Sequence, residues 1–261
     1  MNSKLLPWVS TVVAIVAMVA IWKLVIAIFD VSPFVLPQPE KVVGGVRDLV
    51  QENGFWTDVR ITLTETLVGF GIAIILGIGL GTLLGRVQWL EQAMRPVIVA
   101  SQVVPKVALI PLFIIWFGFG ITSKIIIVAM IAFFPMLLNT ILGVRSVDEG
   151  QKDVMKSLNA SRWQTFRRLE YPSTLPYILA GMEVAIIFAV IGAIVGEYLG
   201  GDQGLGYQIV TSLNNLEAER LFAVIFCLTL FGFILYLAVV GLKRFLIPWH
   251  ASAIDNTTPS T

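Results

Sequence analysis

Apolar residues in this chain gather into runs about as long as a bilayer is thick, separated by shorter polar and charged stretches. A helix needs about 20 apolar residues to cross the roughly 30 Å hydrocarbon layer. Six runs meet that length: residues 8–29, 61–84, 97–117, 125–144, 178–199 and 221–242. The pattern predicts an all-α membrane protein with six transmembrane helices. The first run is too long for a signal peptide, lacks a small-residue cleavage pattern and carries Lys23 near its end, so it reads as a retained helix. After it, Pro33, Pro37 and Pro39 punctuate the chain ahead of an amphipathic stretch around 42–50, which predicts a turn and a short surface helix.

Composition agrees with the pattern. Of 261 residues, 57% are hydrophobic and 13% charged, and the mean hydropathy is +0.85. Ordinary soluble domains sit near 45–50% apolar and about 25% charged, which excludes a free-standing soluble enzyme. A net charge of +1 implies no nucleic-acid partner. One cysteine, Cys227, and one histidine, His250, make an internal disulfide or a zinc site unexpected. With the N-terminus inside, eleven Lys and Arg fall in the cytoplasmic segments and five in the outside ones, a bias that places both termini in the cytoplasm. The chain then divides into a cytoplasmic N-terminus (1–7), a transmembrane domain (8–249) and a polar, flexible cytoplasmic tail (250–261).

The only long, charged stretch on the cytoplasmic side is residues 146–177, and it reads helix, turn, helix. Val154, Met155 and Leu158 share one face, with Lys152, Asp153 and Lys156 on the other. Asn159 interrupts. Ser161 followed by Gln164 has capping-box spacing, restarting a helix whose Trp163, Phe166 and Leu169 form a second apolar patch beside Arg162, Arg167 and Arg168. Pro172 and Pro176 are expected to stop it before the fifth span. Three readings fit such a pair: an interfacial helix on anionic lipid, a loop packed on its own spans, or a docking element inserted into a soluble partner.

The run DVMKSLNASRWQTFRRLEYPSTLPYILAG, 153–181, resembles the EAA loop of binding-protein-dependent ABC importer permeases. Asp153, Val154 and Met155 stand at the Glu-Ala-Ala positions, Asn159 at the glycine, and Leu175-Pro176 at the Leu-Pro. TLTETLVGFGIAIILGIGLGTLLGR, VPKVALIPLFIIWFGFG, FFPMLLNTILGVRSVD and VGEYLGGDQGLGY are each similar to the branch of that family handling nitrate, sulfonates, taurine, bicarbonate and some vitamin or pyrimidine precursors. The resemblance implies the type I importer permease (MetI-like) fold in a bacterial inner membrane. It also implies a second permease copy or paralogue, a dimer of cytoplasmic ABC ATPases and an extracytoplasmic solute-binding protein. ATP and Mg would sit on the ATPase, with no cofactor on this chain. The coupling residues it implies are Asp153, Val154, Met155, Leu158, Asn159, Ala160, Ser161, Arg162, Trp163 and Phe166.

In the second span Gly69, Ala73, Gly77, Gly81 and Gly85 recur every fourth residue, a small-residue stripe that marks a helix–helix contact. Gly77-x-Gly79-x-Gly81 is no nucleotide loop, since no strand precedes it and no acidic residue follows at the required distance. The third span is broken by Pro105 and Pro111 with Lys106 between them. Charge at membrane depth is costly and faces inward, so Lys106, Glu183 and Glu197 are candidate pathway residues, and Glu65 raises the same question at a span end; Lys106 could equally snorkel, and Glu183 could pair with Lys106. Glycines 200, 201, 204 and 206 suggest a pliable loop or a tight connection. The chain lacks a phosphate-binding Gly-x-x-x-x-Gly-Lys motif, so the energy for transport would come from a partner. The competing expectation is an ion-coupled secondary transporter with Lys106, Glu183 and Glu197 as a proton relay.

Overall fold

A computed structural model describes residues 6–248. Most of the expected N-terminal segment 1–7, and the whole tail 250–261 with His250, lie outside the described residues. Among the described residues all regular structure is helical. Five helices are long and apolar enough to cross a membrane: α1 (Leu6–Phe29), α3 (Phe55–Arg86), α6 (Ile121–Arg145), α9 (Tyr171–Gly200) and α11 (Ala218–Leu246). The third predicted span is a bent pair, α4 (Gln88–Val103) and α5 (Ile110–Phe117), which turn by 82° and give a sixth crossing if taken together.

Only one of the two prolines makes that bend. Pro105 forces Val104 into extended backbone, with φ −64° and ψ 124°, and the chain resumes as a 3-10 turn at Lys106–Leu109. Pro111 instead lies in the first turn of α5, where its missing N–H has no helical acceptor to lose.

The centre of the bundle is α6, gripped on two sides through small residues. A Cβ added at Gly69 would lie 2.5 Å from Val128 Cβ, one at Gly81 2.6 Å from Thr140 Cβ, and one at Gly85 2.7 Å from Val144 Cβ; Gly77 meets Met136 in the same way. Each four-residue step along α3 is matched by four residues along α6, so the two helices run parallel with their backbones in close approach. On the other side α9 runs antiparallel: Gly143 of α6 meets Thr174 and Tyr177, while Gly181 of α9 meets Asn139 and Gly192 meets Val128. Phe70, Val128, Ala132, Met136, Ala185 and Ala189 fill the shared core.

The short surface helix expected around 42–50 is α2 (Pro39–Gln51), which packs on the start of α11. Leu49 is buried against Ala223 and Val224, Lys41 Nζ lies 2.6 Å from Glu219, and Arg220 grips Glu52 with two nitrogens at 2.5 and 2.7 Å. The glycine-rich segment after α9 makes a tight connection of four residues, 201–204, and leads into a further helix that the sequence did not announce, α10 (Leu205–Asn214).

Candidate functional site

At one end of the bundle the chain between α6 and α9 forms a knuckle. Its first limb, α7 (Glu149–Ser157), is capped by the Asp148 side chain, which accepts from Gln151 N. Asp153 then accepts from Lys156 Nζ at 2.8 Å, which holds the lysine pKa above its ordinary value. Asn159 adopts φ +50°, a left-handed conformation that asparagine tolerates better than other residues with a side chain. The second limb, α8 (Arg162–Thr165), begins with a full capping box: Gln164 N donates to Ser161 Oγ, and Ser161 N donates to Gln164 Oε1. Val154, Leu158 and Trp163 are 57%, 70% and 66% exposed on the outer surface of this knuckle. Met155 and Ala160 are half-buried, and Arg162 projects into solvent.

Beyond α8 the chain does not stop at Pro172 and Pro176 as the sequence suggests. A π-helical turn at Phe166–Glu170 widens the spiral, and Tyr171 N bonds Phe166 O five residues back. That wider turn accommodates Pro172, whose ring and absent N–H would disrupt a regular α-helix. Helical structure therefore runs unbroken over Arg162–Gly200, 39 residues, joining the knuckle to the opposite end of the bundle. Arg86, the last residue of α3, braces the joint: its Nη2 reaches Glu170 at 2.5 Å and its guanidinium lies 5.5 Å from the Phe166 ring centre.

The three charges proposed for a pathway are not brought together. Lys106 is half-buried with Nζ 4.8 Å above the Phe134 ring. Glu183 pairs with Lys243 of α11 at 3.1 Å and not with Lys106. Glu197, fully buried, accepts from Thr62 Oγ1 and from Gly206 N, both at 2.6 Å. No two of them share a partner among these contacts, so the structure offers no continuous relay.

Glu197 belongs instead to a buried polar junction at the end of the bundle opposite the knuckle. Asp58 accepts from Gly204 N at 2.8 Å and Gln208 Nε2 at 2.6 Å, and Thr62 Oγ1 accepts from Leu205 N at 3.0 Å. These bonds clamp the start of α10 onto α3 and α9. Glycine is required at 206, where a Cβ would lie 2.5 Å from Ile194 O and 2.9 Å from Glu197 Cβ. One turn away Lys124 pairs with Glu65 at 3.3 Å, with both side chains almost wholly buried. Sequence reasoning raised Glu65 singly and missed Asp58, Thr62 and Lys124, and with them the grouping. The signal was present, because Glu65 continues the four-residue spacing of the glycine stripe, and Thr62 and Asp58, 7 and 11 residues before Gly69, fall on the same face of α3. The register that sets Gly69 on Val128 sets Glu65 on Lys124 one turn earlier.

Comparison with known proteins defines the class. A family model of the inner membrane component of binding-protein-dependent transport systems matches residues 69–249. The chain is 38% identical over 219 residues to the formylaminopyrimidine transport permease protein ThiX of Halalkalibacterium halodurans, covering 84% of this chain and 87% of the relative. It is 34% identical over 240 residues to the riboflavin transport system permease protein RibX of Chloroflexus aurantiacus, covering 92% and 90%. The taurine transport system permease protein TauC of Escherichia coli is 29% identical, with 89% and 86% covered. The inward-facing MetNI methionine ABC transporter shares the fold, with a TM-score of 0.63 at 18% identity over 72% of this chain and 94% of that one. The chain therefore belongs to the family of binding-protein-dependent inner membrane transport components. It is a permease subunit of an ABC importer, a transport component.

Proposed function

We propose that two copies of this chain enclose a solute pathway that is opened alternately to either side by a dimer of ATPases docked on the α7–α8 knuckles. In this reading both termini and the knuckle are cytoplasmic, and ATP and Mg bind on the ATPases. An extracytoplasmic binding protein releases the solute at the opposite end, near α10. The single observation that carries the proposal is the knuckle itself: Val154, Leu158 and Trp163 present apolar surface at the end of a capped, sharply turned element. Exposed apolar side chains on a rigid polar frame suit insertion into a cleft of a soluble partner. The unbroken helix from Arg162 to Gly200 suits transmission, since a displacement imposed at Trp163 moves a rod that ends at Glu197 and the clamped start of α10.

The solute is proposed to be a small heterocyclic or anionic compound, the classes named for the formylaminopyrimidine, riboflavin and taurine relatives. Proteoliposomes test the whole reading. Uptake of a labelled solute of this class is expected only when permease, ATPase, binding protein and ATP are all present. Uptake by the permease alone under an ion gradient would contradict it.

A further inference from the structure

At the knuckle end a groove of about 850 Å³ opens between the tips of α3, α6, α9 and α11. It has two zones of opposite character. The zone farther from the knuckle is apolar, lined by Leu179 and Met182 of α9, Ile78 of α3 and Leu242 of α11. The mouth carries three cations, Arg86, Arg145 and Lys152, against two carboxylates, Glu149 and Glu170. We propose that this groove binds an anionic phospholipid, one acyl chain lying in the apolar zone and the phosphate held at the mouth by Arg86, Arg145 and Lys152.

Depth, donors and position support that occupant. From Ile78 to Arg86 a helix rises by about 12 Å, close to the roughly 15 Å half-thickness of the hydrocarbon layer. The groove therefore reaches from headgroup level into one leaflet. Arg86 Nη2 bonds Glu170 and Arg145 Nη2 lies 3.2 Å from Glu91. A guanidinium carries five N–H donors, so both keep donors for a phosphate, and the Lys152 ammonium, held by Glu149 at 2.7 Å, keeps two. Arg167 and Arg168, exposed beside the mouth, make no ion pair among the described residues and raise the local positive potential. A bound lipid would touch Phe166, Glu170 and Tyr171 at the joint between knuckle and α9, so its chemistry would bear on how firmly the two move together. The inference goes beyond the transport reading and does not depend on it.

The test is native mass spectrometry of the puried permease, after exchange into nanodiscs holding equal amounts of phosphatidylglycerol and phosphatidylcholine with matched chains. Phosphatidylglycerol is expected to be retained preferentially, by about tenfold or more. The double variant Arg145→Gln/Lys152→Gln should abolish most of that preference, and Leu242→Trp, which fills the groove from an exposed position, should reduce retention of both lipids. Millimolar free phosphate should displace nothing, since the acyl chain supplies part of the binding. Equal retention of the two lipids by the native chain, or unchanged retention in Leu242→Trp, would overturn the proposal. So would cross-linking of a Leu242→Cys variant to a second copy across the groove, which would make a protein helix the occupant.

Discussion

A methyl group at Gly79 meets nothing within 4 Å, whereas at Gly81 it would lie 2.6 Å from Thr140 Cβ. Two glycines one turn-half apart on α3 thus have opposite roles, one facing open surface and one seating α6. Gly79→Ala is expected to leave stability unchanged or raise it by up to about 1 kcal/mol through helix propensity. Gly81→Val is expected to cost at least about 1–3 kcal/mol by overpacking. Equilibrium unfolding in mixed micelles measures both, and equal effects would refute the assigned contact. The Lys124–Glu65 pair makes a second residue-scale prediction. Both oxygens of Glu65 are buried without a well-aligned hydrogen bond, so Lys124 is its main compensation. Lys124→Met should destabilise by about 3–5 kcal/mol by stranding a buried charge, and adding Glu65→Leu should recover most of the loss. A double variant no more stable than the single one would show that the pair is held by something else.

At the scale of elements, the turn between α7 and α8 depends on one left-handed residue. Asn159→Gly should preserve the knuckle, because glycine adopts φ +50° freely. Asn159→Val should disturb it at a cost of about 1–3 kcal/mol, seen as faster proteolysis within 146–177 while the spans stay protected; equal cleavage of the two variants would contradict the turn assignment. The capping box at Ser161 and Gln164 was legible from spacing alone, as were the six apolar runs, because both are encoded by neighbours along the chain. What was not legible required partners distant in sequence. The stripe on α3 announced a contact but not its mate, since Val128, Met136, Thr140 and Val144 are unremarkable membrane residues until the register is known. α10 was missed because glycines 200, 201, 204 and 206 suggest a loose connection, and the groups that pin its start, the carboxylates of Asp58 and Glu197 and the hydroxyl of Thr62, are reached from other helices. The π turn was missed for a different reason: two prolines normally end a helix, and nothing local says that a widened turn will absorb the first.

At the scale of the whole molecule, α1 stands apart from the rest: the most apolar window of this helix has no buried residues, and it touches the bundle through the Lys23–Glu40 pair and the Trp22–Phe222 contact. The remaining spans form one body around α6, and the rod from Arg162 to Gly200 ties its two ends together. Such an arrangement suits a device that is pushed at the knuckle and responds at α10. The pathway charges expected from sequence are spread over separate contacts, with Glu183 on Lys243 and Glu197 on Thr62 and Gly206, which favours an external energy source over an internal relay. The most direct measurement is co-purification of the cognate ATPase from membranes with the native permease and with Trp163→Asp, inserted equally well. The account predicts that the native chain retains the ATPase and that Trp163→Asp loses it; retention of the ATPase by Trp163→Asp together with Leu158→Asp would contradict it.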